Sequence, residues 1–341
     1  MQKLNLKHTI RINILMLKLM GLWPEGNNTY TSNLYTLYAF VTIVVIMGGH
    51  NLFQTINICF VYKNLEALAT TIFITSTEVL VSVKIYFFAQ NIRTLKELLS
   101  SLNKDIFQPK NQLQMELVLP TLNFWKMVYW GFLFIVILTV VIWGILPLLT
   151  TSVESKQLPF TAWYPYDSTI SPMYELTYLY QVLGMWYIAV SNVNIGTLFY
   201  ALLTYVVVQC DILSDNFKNL VNGYSSVNRR IISCIRHHRE ILRFAQNTNH
   251  LFNMIILGQF ITSTIVIATT LFMLTLVDPL SKQGLITALY AAAIITEIFI
   301  YCWFGNQVHL RVRYTSKLIV NFVMLYDMIC CLLVIIISSI T

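Results

Sequence analysis

The sequence predicts an all-α, polytopic membrane protein, and three observations carry that prediction. Of its 341 residues, 57% are hydrophobic and only 11% are charged, against roughly a quarter charged in soluble domains. The mean hydropathy is +0.66. The apolar residues are gathered into runs of about 20 or more, each long enough to cross about 30 Å of hydrocarbon as a helix. An isolated strand would leave its backbone unpaired in lipid, so helix is the physical choice.

Seven runs meet that length, at about 34–54, 66–90, 125–149, 174–206, 254–277, 285–304 and 318–340. No shift in composition divides them, so residues 1–341 read as a single transmembrane domain. The stretch before the first run is interrupted by Lys3, Lys7, Arg11 and Lys18, and no cleavable signal is expected there. Two connections, about 91–124 and 207–250, are long enough to carry helical extensions of the spans.

A net charge of +7 raises the question of nucleic acid. The basic residues lie between apolar runs rather than in a basic domain, so no nucleic-acid partner is expected. Their placement reports topology instead. Eighteen of the 22 Lys and Arg fall in the N-terminus, the second connection with the foot of the third run at Lys126, and the fourth and sixth connections. Lys63, Lys156 and Lys282 fall on the opposite side, and Lys84 lies within a run. Basic residues are retained in the cytoplasm. Seven transmembrane helices with the N-terminus cytoplasmic and the C-terminus extracellular follow. That is the reverse of a G-protein-coupled receptor, and no NPxxY or DRY stands where that class has them.

In the connection 207–250, Ile231, Ile235, His238, Leu242 and Ala245 recur at three or four residues and predict a narrow apolar stripe. Spans continuing past the lipid and packing together would produce it, and so would a partner-binding platform. The outward connection 150–173 is rich in Pro159, Phe160, Trp163, Tyr164, Pro165 and Tyr166. It reads equally as a lid folded over the helices or as an interfacial aromatic belt.

Catalytic chemistry is missing. There is no HExxH, no GxSxG and no phosphate-binding glycine loop. His237 and His238 are neighbours about 100° apart on a helix. With His250 they read as surface residues rather than metal ligands. No enzyme, metal or cofactor is expected. Charges inside spans are functional candidates by default, and here they are Glu78, Lys84, Glu297 and Asp327. Glu78 and Lys84, six residues apart, cannot pair within one helix, and Lys84, toward the cytoplasmic end of its span, is expected to snorkel. If the last run lined a pore, Asp327 with Asn321 nearby would favour cations.

Several stretches resemble insect odorant receptors: LMLKLMGLWP at 15–24, LPFTAWYPYD at 158–167 followed by Gln181, CIRHHREILRFAQ at 234–246, Leu257-Gly258-Gln259-Phe260, and YCWFGNQV at 301–308. The resemblance ends at about 308, and residues 309–341 depart from the family. It implies a ligand-tuning subunit that assembles with a shared co-receptor as a tetrameric, ligand-gated, non-selective cation channel. The location implied is the plasma membrane of a sensory neuron dendrite. The chain's second cytoplasmic loop is much shorter than the co-receptor's, so it is not read as the co-receptor.

A small volatile ligand would enter a pocket in the outer half of spans two, three, four and six. Outer-half positions nominate Phe73, Thr77, Val140, Trp143, Gly144, Tyr178, Gln181, Met185, Thr287 and Tyr290. Aromatic walls, compliant methionine and a few hydroxyls suit such a ligand. A gustatory receptor shares the topology, but Thr204-Tyr205 with Gln209 is a poor echo of that family's motif. A membrane transporter should show paired broken helices, which are not seen.

Overall fold

The computed structural model describes residues 9–26, 30, 33–150, 157–220, 227–276 and 281–340. Eight helices organise them, and among the described residues there is no strand. Helix α1 is Arg11–Leu19. Helix α2, Leu34–Val61, contains a wide π turn at Thr42–Gly48. The chain continues through α3 (Leu65–Gln90), α4 (Ile92–Ser101), α5 (Gln112–Thr150), α6 (Met173–Lys218), α7 (Val227–Leu276) and α8 (Lys282–Ile340). Helices α2, α3, α5, α6, α7 and α8 are each long and apolar enough to cross a membrane.

Helix α6 is the axis of the bundle. Its apolar window is 94% buried, against 22–44% in the other five. It therefore carries polar groups that lipid would not tolerate, and several of them pair with neighbouring helices. Asn13 of α1 donates to the Asn194 carbonyl (3.0 Å) and to Thr197 Oγ1 (2.7 Å). From α5, Trp125 donates to the Thr197 carbonyl (3.1 Å) and Tyr129 to Asn194 Oδ1 (3.2 Å). The outer helices instead turn apolar side chains outward, such as Leu37 and Phe134, as helices facing hydrocarbon do.

The Gly21-Leu22-Trp23-Pro24 stretch closes α1. Gly21 has φ +76°, the Leu22 amide donates back to the Leu17 carbonyl (2.8 Å) and the Gly21 amide to Lys18 (3.1 Å). This is a left-handed helix cap, open to glycine without steric cost. A Cβ at Gly21 would also lie 2.8 Å from the Ala39 Cα, so the residue lets α2 approach. Leu22 is fully buried, and Trp23 packs between Phe88 and the Lys96 ammonium.

Two expectations are corrected. The runs 285–304 and 318–340 are not separated by a turn: α8 is unbroken from Lys282 to Ile340. No Gly or Pro follows Gly305 to stop it. Asn321 and Asp327 lie at 321–340, where side chains fall outside the described residues. In α7 the buried face is Cys234, His237, Ile241, Phe244 and Thr248, one position ahead of the expected stripe. Ile235 and Leu242 are exposed. His237 is thus an interior residue: its Nε2 is 3.0 Å from Gln209 Oε1, and its ring packs on Phe107. The α7 sequence carries apolar residues on two adjacent faces, and hydrogen bonding to Gln209 selects the face containing the histidine.

Candidate ligand-binding cavity

Helices α3, α5, α6 and α8 diverge around a cavity of ≈ 140 Å³. This is about the size of an engineered apolar cavity of roughly 150 Å³ that takes up benzene. Five of the nominated residues, Thr77, Val140, Trp143, Met185 and Tyr290, lie on its wall. Most of the remaining wall is aliphatic, including Ile74, Val136, Ile188 and Ile294.

The other five nominated residues are not on the wall. Phe73 stands behind it, its ring 5.1 Å from Tyr290 and 6.5 Å from Trp143. Gly144 accepts a 2.6 Å hydrogen bond from the Tyr178 hydroxyl through its carbonyl, tying α5 to α6, so neither residue reaches the space. Thr287 is buried outside it. Gln181 serves the roof. Depth along a span sorts residues by level, but it does not say which side of the helix faces the gap.

The described part of the outward connection, 157–172, folds over the cavity as a lid. Phe160 enters the wall and packs against Trp143, ring centroids 5.0 Å apart and planes tilted by 34°. Gln181 holds it there. Its Oε1 accepts from the Phe160 amide, and its Nε2 donates to the Phe160 carbonyl and to the Tyr164 hydroxyl, each at 3.0 Å. Further ties run to α2: the Trp163 amide to the Phe53 carbonyl (3.2 Å) and Asn57 to the Thr161 carbonyl (3.1 Å). Burial pushes the Tyr164 phenol up to about 12, so it stays neutral and can accept from Gln181 at physiological pH. Gln181→Leu is expected to raise amide exchange at Phe160 by about tenfold or more, at about 1 kcal/mol net per lost hydrogen bond. Unchanged protection there would show that the α2 ties alone hold the lid.

The two acids of the wall, Glu78 and Glu297, were legible only as isolated charges, and Asn192 was not singled out. Lys84 does not snorkel: it is fully buried, 3.2 Å from Glu297 Oε1 and 2.6 Å from Asn192 Oδ1. Asn192 Nδ2 in turn donates to Glu297 Oε1 (3.2 Å). Three helices, α3, α6 and α8, are joined this way beside the cavity, whose wall includes Asn192 and Glu297. Glu78, also on the wall, receives Gln54 Nε2 at 3.2 Å and lies 3.1 Å from His50 Nδ1. Residue spacing along one helix tests only partners on that helix, and both acids find theirs on others. Among the described residues no three His, Cys, Asp or Glu side chains converge where a metal could be held.

Comparison with known proteins matches this architecture. A family model described as 7tm Odorant receptor covers residues 64–313. The chain is 25% identical over 343 residues to Odorant receptor Or1 of Anopheles gambiae, covering 92% of this chain and 80% of that one. It is 21% identical over 305 residues to Odorant receptor 46a, isoform A, of Drosophila melanogaster, covering 86% and 78%. The fold is similar to the olfactory receptor OR5 of Machilis hrabei, with TM-score 0.80 at 20% identity over 91% of this chain and 82% of that one. It is also similar to OR5 in complex with eugenol, with TM-score 0.77 at 17% identity over 98% and 99%. The six apolar helices and the family model that spans most of the chain place this membrane protein in the 7tm odorant receptor family, as a receptor and not an enzyme.

Proposed function

We propose that this odorant receptor binds a small volatile ligand in the cavity beneath Phe160, and that binding gates a non-selective cation channel formed with a co-receptor. The observation that carries this reading is an apolar cavity of ≈ 140 Å³ with Trp143, Tyr290 and Phe160 on its wall, Phe160 being held there by Gln181. Thr77, Val140, Trp143, Met185 and Tyr290 touch the ligand. Phe73, Gly144, Tyr178, Gln181 and Thr287 set the shape and closure of the space around it. The 18-to-3 split of basic residues puts the N-terminus in the cytoplasm and the lid outside, where odorant arrives. A plasma-membrane location in a sensory dendrite and a hetero-tetrameric assembly fit that arrangement. A relative of the same fold has been solved in complex with eugenol, a small aromatic molecule.

Energetics constrain the gate. A micromolar ligand binds with about −8 kcal/mol, and moving a two-state gate from 1:99 to 99:1 takes about 5.5 kcal/mol of preference for one state. Most of the binding energy must therefore distinguish open from closed, which a lid that closes on the ligand can do. The test is odorant-evoked current in cells expressing the chain with the co-receptor, against co-receptor alone. Ligand-dependent current that requires this chain is expected. Solute uptake without current would overturn the channel reading in favour of transport.

A further inference from the structure

At the end of the bundle opposite the lid, two adjoining clefts of ≈ 280 and ≈ 340 Å³ share Lys110, Asn216, Ser233 and Cys234. Arg236 lines the first, and Arg229 and Arg230 line the second. The α7 helix brings these side chains together. Arg229, Arg230 and Arg236 each stand three or four residues from Ser233, the spacing that makes helical side chains neighbours on one face. Lys110 approaches from the connection before α5. Burial holds the Cys234 thiol above its usual range against the pull of Lys110 and Arg230, which places both charges near the shared floor. His237, on the first cleft, is lowered to about 4 by burial and by the Lys110 charge, so at physiological pH it is neutral. Nearby cations hold carboxylates: Lys104 and Arg243 share Glu240, and Arg311 pairs with Asp211. Among the described residues, Lys110, Arg229, Arg230 and Arg236 pair with none. Arg230 gives one N–H to the Leu220 carbonyl (2.8 Å). Ser233 is exposed, and its hydroxyl makes no hydrogen bond to a described residue.

We infer that these clefts bind a soluble anion carrying two or more phosphate groups, its oxygens shared among Lys110, Arg229, Arg230, Arg236 and the Ser233 hydroxyl. Guanidinium forks match phosphate oxygens, and a hydroxyl can donate to the same group. Asp105 is the one carboxylate among the described lining residues. Four cations against it exceed what a single phosphate group, at about −1.5 to −2, can neutralise. The distance from the bilayer argues for a soluble source. Helix α7 is unbroken from Val227 to Leu276, so Ser233 lies about 30 Å of helix before the run at 254–277 that enters the membrane. On the topology read from the basic residues, this end stands in the cytoplasm. A lipid headgroup does not reach that far, and the bilayer's field decays over a Debye length of about 8 Å. The inference is independent of the odorant cavity, and its readout is binding rather than current.

The full chain, purified with its co-receptor in nanodiscs free of phosphoinositide, is titrated with sodium tripolyphosphate and with inorganic phosphate. Calorimetry reads binding and thermal melting reads stabilisation, with the co-receptor alone as the subtraction. Tripolyphosphate is expected to bind at least about tenfold more tightly than inorganic phosphate, and to weaken as salt is added. Lys110→Gln and Arg236→Gln are each expected to weaken it by about tenfold. Ser233→Glu sets a carboxylate among the cations and is expected to abolish binding while raising the melting midpoint of the unliganded receptor. Should a glutamine variant fail to fold, Ser233→Glu still decides, since it alters an exposed side chain. No tripolyphosphate binding, or binding that the three variants leave unchanged, overturns the site. Equal affinity for inorganic phosphate overturns the requirement for more than one phosphate group. Stabilisation by nanodiscs containing a phosphoinositide, with none by tripolyphosphate, overturns the soluble source. Loss of co-receptor assembly in the glutamine variants, with no anion effect on the parent receptor, makes the clefts a subunit contact and overturns the inference.

Discussion

Lys84→Ala is expected to abolish delivery of the receptor to the cell surface. The ammonium is fully buried and touches Glu297 and Asn192 on two other helices. Deleting it leaves a buried carboxylate and an amide oxygen without their cation. Breaking one side of such a pair costs about 3–5 kcal/mol, a large share of the roughly 5–15 kcal/mol that holds a folded domain together. The double variant Lys84→Met with Glu297→Gln removes both charges while keeping an acceptor for Asn192 Nδ2. It should recover most surface delivery, its residual defect being the orphaned Asn192 Oδ1, at about 1–3 kcal/mol. Surface labelling and detergent melting of the two variants read this directly. Wild-type delivery and melting in Lys84→Ala would mean that water or lipid headgroups already reach Glu297.

Trp143→Ala is expected to damage the ligand response far more than delivery. The indole touches three rings, those of Phe160, Tyr290 and Phe73, and removing it merges its volume with the cavity. A ligand loses one whole wall. At about 25 cal/mol per Å² of apolar contact, and with the aromatic pairing lost as well, potency for small odorants should fall by about ten- to a hundredfold. Bulkier odorants should lose least, since the enlarged space suits them. The dose–response curve and surface labelling, taken on the same cells, separate the two effects. Parallel loss of both would assign Trp143 to folding rather than to the ligand.

The helical class was legible because lipid demands long apolar helices whatever the rest of the fold does. The four helices that enclose the cavity followed from the family resemblance, and Thr77, Val140, Trp143, Met185 and Tyr290 from their depth. The azimuth of each helix was not legible. In α7 the stripe through Ile235 and Leu242 and the one through Ile241 and Phe244 are equally apolar, and the second is buried. Around lipid, apolarity no longer distinguishes inside from outside, because Phe134 facing hydrocarbon and Phe132 facing protein are both content. The burial of Lys84 had the opposite cause. A lone cation in a span suggests escape toward water, and only the approach of α8 reveals that a partner waits inside. The continuity of α8 past Gly305 was hidden by the basic stretch from Arg311 to Lys317, which reads as a connection although nothing in it breaks a helix.

Gln181 grips residue 160 by its peptide groups, one accepting and one donating, and not by its ring. The ring is left free to form the ceiling of the cavity. Fastening and shape at this position are therefore controlled by different atoms. A mutation that exchanges Phe160 for leucine, tyrosine or methionine alters what fits beneath without removing the peptide groups that Gln181 holds. Such an arrangement lets a lineage drift from one odour to another by single steps, each of which still yields a closed receptor.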